Sequence, residues 1–304
     1  MKKLGKFWTI GLIIPTISCL LTGCSQYNRW LDNTGLFFNK TDNEIGEDKL
    51  ANVMLDWIDG ELDHQVLFIG FDGCRADAVA KYIDLNKDST NSPLVKYQKQ
   101  QLALGFCGGD DDSQETSTSP GWTTLLTGEW GKINGVTTNH GDTQLESGHH
   151  TIMYNLADEG ESASYCSSQY KWDVTWKTDF PNPEKYDFYQ DPDATPSYES
   201  IVNKCISQID SSDNNFVILN CCDDVGHNTG FSPNNAEYME AVKMSDNYAK
   251  KIIDEKIEKM TDENIDPKNL LVIITTDHGG IRKGHGHFSQ EEKTTWFATN
   301  RPIF

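Results

Sequence analysis

The sequence predicts an α/β fold, a mainly parallel central sheet sandwiched between helices, and three observations lead there. Residues 66–71, 216–219 and 270–274 are short, unbroken apolar runs of the kind shown by strands buried on both faces. Segments with helical apolar spacing alternate with these runs, as in sheets covered on both sides. Each run also ends shortly before acidic or imidazole side chains: Asp72, then Asp223 with His227, then Asp277 with His278. In open parallel sheets, ligand sites form outside the carboxyl ends of the strands, so residues far apart in sequence can converge there.

Taken in order, the chain opens with Lys2, Lys3 and Lys6 ahead of an apolar run at 7–21. That layout is a secretory signal, too short for a membrane span. It ends in Leu21-Thr22-Gly23-Cys24, which resembles the lipobox of bacterial lipoproteins and implies cleavage before Cys24 and a lipid on its sulfur. Residues 1–23 therefore read as a signal peptide, and the body as extracytoplasmic and lipid-anchored to the membrane. Residues 24–62 read as a polar tether and an N-terminal helix, with an amphipathic piece at 50–58. One catalytic α/β domain follows over 63–304.

Within that domain a helix is expected at 76–83, and an acidic loop at 110–112. A hydroxyl-rich stretch, 116–139, turns at Ser119-Pro120-Gly121, where a helix starts and unpaired backbone N–H groups favour an anion. Taken alone, Thr118 there reads as a helix cap. A helix at 150–156, a strand at 162–166, an irregular surface excursion at 172–198 and a helix at 198–209 come next. A long helix at 236–259, capped by Pro233-Asn234, precedes the third strand. No repeat and no internal linker divides the domain.

Composition narrows the function. The formal net charge of -20 excludes the basic footprint of a nucleic-acid binder. It also repels anionic substrates, so a phosphate-ester substrate would need a local reversal of sign such as a metal cluster provides. Of eight cysteines, Cys19 falls in the signal and Cys24 is the lipid site. The other six show neither a CxxC zinc pattern nor a disulfide-rich spacing. Three carboxylates and three imidazoles, with Gly284-His285-Gly286-His287 supplying the last, suit hard-to-borderline divalent metals, zinc foremost.

Four blocks in order, FDGCRAD, TSPGWTTLLTG running on to Asn139, DDVGH, and TTDHGG with GHGH, resemble the alkaline phosphatase superfamily. The type I phosphodiesterase and nucleotide pyrophosphatase branch is the nearest in pattern. The resemblance implies two zinc ions and a covalent intermediate on Thr118. It implies one metal held by Asp72, Thr118, Asp277 and His278, and a second held by Asp223, His227 and His285, with His287 competing for the last place. Asn139 falls where that family keeps the asparagine that donates to a nonbridging phosphate oxygen.

Sulfatases of the superfamily need Cys or Ser followed two residues later by Pro and then an Arg, and Thr118-Ser119-Pro120-Gly121 lacks the Cys and the Arg. Monoesterases place an arginine just after the nucleophile, whereas the arginines here are Arg29, Arg75, Arg282 and Arg301. That favours a singly charged diester. Arg75 and Arg282 keep a phosphomonoesterase as the alternative, beside a phosphotransferase and a catalytically impaired binding lipoprotein. Trp122 and Trp130 read first as core residues, with base stacking as the second possibility. The resemblance also implies a further helix and strand beyond Phe304, so the C-terminal end reads as truncated.

Overall fold

The structure, a computed structural model, describes residues 45–140, 143–167, 172–179, 187–190 and 197–304. The signal and Cys24 lie outside the described residues. Among the described residues eight strands form one sheet: β1 (Ile45–Gly46), β2 (Gln65–Phe71), β3 (Gln101–Phe106), β4 (Ala163–Ser167), β5 (Asp187–Gln190), β6 (Asn214–Leu219), β7 (Leu270–Thr275) and β8 (Thr294–Thr299). Their order is β1-β3-β8-β7-β2-β6-β4-β5. Every neighbouring pair is parallel except those of β8, which runs antiparallel to both β3 and β7.

Side-chain alternation along the strands sorts the core into two faces. Leu67, Ile69 and Phe71 join Val217, Leu219, Val272 and Ile274 on one face. Helices α2 (Ala76–Leu85), α8 (Tyr198–Ile209) and α10 (Ala236–Asp262) cover it, with Ile83, Ile201, Val242 and Ile252 in the same cluster. Val66, Phe68, Phe216, Ile218, Leu271 and Ile273 occupy the other face. There α1 (Leu50–Gly60), α4 (Thr118–Thr127) and α6 (Ile152–Glu159) contribute Leu50, Met54, Trp122, Leu125 and Ile152. Each such fully buried side chain is worth about 2 kcal/mol of transfer free energy, so the central strands are strongly held.

Several short elements complete the chain: α3 (Pro93–Tyr97), α5 (Gly131–Asn134), α7 (Trp172–Thr175), α9 (Cys221–Thr229) and α11 (Gln290–Lys293). Three local expectations are corrected. The 172–198 segment is not a surface excursion throughout, because Trp172 and Trp176 are buried, stacked at 4.1 Å, and β5 extends the sheet. The long helix is capped by Asn235, whose side chain accepts from Glu237 N, rather than by Pro233-Asn234. Thr118 is not a cap, because Ser117 holds that position and its hydroxyl makes no cap bond.

The register sets the site. Phe71 pairs with Leu219 and Gly70 with Thr275, so the carboxyl ends of β6, β2 and β7 lie side by side. Asp72 is one residue past β2, Asp277 two past β7, and Asp223 lies in the first turn of α9 just past β6.

Candidate metal centre

Asp72 is fully buried, and its two oxygens have different surroundings. Oδ2 accepts from Trp122 Nε1 at 3.0 Å and from Asn220 Nδ2 at 3.2 Å. Oδ1 lies 3.5 Å from Thr118 Oγ1 and 3.6 Å from His278 Nε2. Thr118 Oγ1 is also 3.5 Å from His278 Nε2, and Asp277 Oδ2 lies 3.4 Å from that nitrogen. One carboxylate from each of two strand ends, an imidazole and the hydroxyl at the start of α4 thus share one buried point.

A second group adjoins it. Asp223 and His227 are one helical turn apart on α9, which brings their side chains to one face, with Asp223 Oδ2 3.4 Å from His227 Nε2. Asp223 Oδ1 is 3.5 Å from His285 Nε2, and the two imidazole Nε2 atoms of His227 and His285 are 3.1 Å apart. The His278 and His285 rings stack with centroids 4.0 Å apart, so the groups touch. His287 belongs to neither group, and its side chain is exposed.

All three clustered histidines use their rings alike. His278 Nδ1 bonds the carbonyl of Gly279 at 2.6 Å, His285 Nδ1 that of Thr116 at 3.2 Å and His227 Nδ1 that of Lys283 at 3.1 Å. A carbonyl can only accept, so each Nδ1 carries a proton, and Nε2 is the nitrogen that faces the cluster and would give its lone pair to a cation once unprotonated. Ligand atoms of Asp72, Asp277 and His278 lie within 4.8 Å of one another, as do those of Asp223, His278 and His285. His278 therefore reaches both groups. Asp277 Oδ2 and Asp223 Oδ1 are buried with no hydrogen-bond partner, a costly arrangement that a cation would relieve.

The electrostatics agree. Burial, then the neighbouring Asp223, pushes the Asp72 carboxyl well above its usual range, and burial with Asp72 beside it does the same to Asp277. Burial also presses on Asp223, but a hydrogen bond with His227 and the charges of His285 and His278 outweigh it and hold that carboxyl low. The Asp223 bond raises His227 to about 9, while burial drives His278 down to about 3 and lowers His285. Without a cation, three carboxylates at such range cannot all ionise cheaply. The residues fit divalent ions.

Two glycines let these pieces approach. Gly73, at φ 63, makes the turn after Asp72, and a Cβ there would meet the Asp223 side chain at 2.8 Å. Gly121 faces Asp277, which brings the first turn of α4, and Thr118 with it, close to the end of β7. Asn139 Oδ1 accepts from Ser119 N at 2.7 Å and so caps α4 from 20 residues away. Its backbone N–H is held by Glu115 Oε2 at 3.2 Å, and its Nδ2 has no partner among the described residues.

Some expected roles change. Trp122 and Trp130 are buried, the first against Phe68 and the second against Phe106, so neither offers a face to a ligand. Arg75 is a strut: it is paired with Asp77 at 2.6 Å and donates to the carbonyls of Phe231 and Gly280 at 3.0 Å. Cys74, Cys107, Cys166, Cys205, Cys221 and Cys222 are all buried thiols that form no disulfide among the described residues. Asn220 escaped sequence reading, although it directly follows β6 as Asp72 follows β2.

No protein-family model and no curated relative matches the sequence. Among solved structures, a 2-O GAG sulfatase superposes with a TM-score of 0.52 at 14% identity, covering 79% of this chain and 64% of its own. A putative sulfatase from Bacteroides thetaiotaomicron gives 0.51 at 13% identity, covering 79% and 65%. Murine ectonucleotide pyrophosphatase/phosphodiesterase 5, bound to AMP in an inactive form, gives 0.48 at 22% identity, covering 71% and 57%. The chain thus spans under two thirds of the length of each of these proteins. The likeness read from the four sequence blocks holds at the level of architecture: this chain has the helix-sandwiched, mainly parallel sheet of the alkaline phosphatase superfamily.

Proposed function

We propose that this protein is a metal-dependent phosphoric ester hydrolase, a phosphodiesterase or nucleotide pyrophosphatase that works through a covalent intermediate on Thr118. The observation that carries the reading is the position of Thr118 Oγ1, 3.5 Å from both Asp72 Oδ1 and His278 Nε2, at the N-terminus of α4. Asp72, Asp277 and His278 with Thr118 would hold one ion, and Asp223, His227 and His285 the other. Two divalent ions, zinc by the donor set, would supply Lewis acidity and lower the pKa of a coordinated hydroxyl or water.

The chain's own groups do the rest. Thr118 Oγ1 gives up its proton and bonds to phosphorus as the ester P–O bond breaks and the leaving oxygen is protonated. Water then cleaves the Thr118–phosphoryl bond and restores the hydroxyl. Asn139 Nδ2, freed because Oδ1 is tied to Ser119 N, donates to a nonbridging oxygen. The backbone at the start of α4 favours the same anion. Arg75 is engaged by Asp77 and two carbonyls and so is not aimed at a second phosphate charge, which supports a diester over a monoester.

The solved neighbours include sulfatases, and the sequence argues against that activity here. Thr118 stands in place of the Cys or Ser, and Gly121-Trp122 follows Pro120 with no Arg. The decisive test is turnover of bis(p-nitrophenyl) phosphate by the purified protein. Thr118→Ala and prolonged chelation should each abolish it, and the Asn139→Ala loss should be severe but smaller, about 100-fold or more. Undiminished turnover by Thr118→Ala would refute the covalent route. We also propose lipid anchoring at Cys24, supported by Leu21-Thr22-Gly23-Cys24 after the apolar run. Cys24→Ala should then leave the membrane fraction.

A further inference from the structure

We infer that Thr116 is a positioning residue for His285, an inference that rests on the two-ion reading above. The 284–287 segment is partly exposed, and Gly286 adopts a φ of 102. Upstream, Gly284 exchanges backbone hydrogen bonds with Ile281 at 2.9 and 3.1 Å, which leaves the direction of the His285 side chain to other contacts. Thr116, fully buried two residues ahead of Thr118, grips this segment at three points. Its carbonyl accepts from His285 Nδ1 at 3.2 Å, its Oγ1 accepts from Gly286 N at 3.2 Å, and the same hydroxyl donates to the carbonyl of His287. The first bond assigns the proton to Nδ1 and turns Nε2 toward Asp223. The hydroxyl bonds fix the height of the loop.

On the far flank the Glu292 carboxylate receives His287 N and Ser289 N, both at 3.1 Å, so the segment is latched from two sides. Thr116 and Thr118 share one short piece of chain. The latch therefore sets the distance between the nucleophile and the group around Asp223.

The test is zinc binding by the purified protein without substrate, measured by competition with a chromophoric chelator. Thr116→Val keeps the volume and the carbonyl but removes the hydroxyl. One of two zinc ions is expected to bind about 10- to 100-fold more weakly, the other to be retained, and Thr116→Ser to restore both. Two ions held by Thr116→Val as tightly as by wild type would overturn the inference and leave the two-ion reading standing. A wild-type protein that binds no zinc would overturn both. Should Thr116→Val not melt cooperatively, amide exchange of the wild type decides. The Gly286 N–H should exchange about tenfold or more below its intrinsic rate, and exchange at that rate would refute the latch.

Discussion

Trp122 reaches Asp72 from beneath the site: its indole nitrogen donates to Oδ2 at 3.0 Å, while Asn220 holds the same oxygen at 3.2 Å. Together they leave Oδ1 turned toward Thr118. Hydrogen bonds to charged groups are worth about 1.5–3 kcal/mol. Trp122→Phe, which keeps most of the packing against Phe68, should therefore weaken metal affinity and turnover by about tenfold or more. Measured kcat and zinc affinity equal to wild type would reduce Trp122 to a packing residue.

Gly121 offers a second, steric test. A Cβ at this position would come within 2.8 Å of Asp277 Cβ and of its carbonyl oxygen. Ala is the better helix former by about 1 kcal/mol, so propensity alone predicts a gain. The contact predicts the reverse. Gly121→Ala should push α4 off the end of β7, cost about 1–3 kcal/mol in chemical denaturation, and impair turnover more than a remote destabilising change does. A more stable, fully active variant would contradict the packing.

In the metal-stripped protein the stability contributed by His227 should be lost as pH rises from about 7 to about 9.5. His227 is held at about 9, above its ordinary 6.5, chiefly by its hydrogen bond with Asp223. A raised base contributes stability that is full below 6.5 and is lost as pH passes 9. Asp72 and Asp277, raised by burial, act in the same direction. His278 and His285 are lowered, so their opposing contributions are complete by about pH 6.5. Melting of stripped wild type against stripped His227→Gln, across pH 7–9.5, checks this. The variant's slope should be flatter, and identical slopes would refute it.

Lys256 gives a control far from the cluster. It is fully buried, with Nζ donating to the carbonyls of Asp213 at 2.8 Å and Ser212 at 3.3 Å. Burial lowers it from 10.5 to about 8. The folded state then sheds a proton that the unfolded chain keeps, so this group adds stability as pH climbs from 8 to 10.5. Below pH 8 its charge costs about 3 kcal/mol at most. The melting temperature of Lys256→Met minus that of wild type should be larger at pH 7 than at pH 10, and a constant difference would refute the assignment.

The layered architecture was legible because β2, β6 and β7 are unbroken apolar runs, and the acids beyond them therefore read as strand ends. Strands β3 and β8 were not legible. Gln101–Phe106 includes Ala103 and Gly105, both poor strand formers, and Thr294–Thr299 carries three threonines among its six residues, which breaks its apolar run. The candidate ligands could be named one by one, yet their convergence depends on the Phe71–Leu219 and Gly70–Thr275 register, a tertiary property. The same holds for Asn139, whose role as a cap across 20 residues leaves no local signal.

The reversed strand β8 has a kinetic consequence. It fits between β3 and β7, and Gln101 pairs with Thr299 across most of the domain. Asp277, His278 and His285 all lie on the connection from β7 to β8. Loop-closure entropy makes such distant pairings slow to form, in milliseconds to seconds for sheet-rich topologies. Until β8 docks, both ends of that connection are not secured, so assembly of the ligand cluster is timed by closure of the sheet's centre rather than by any local turn.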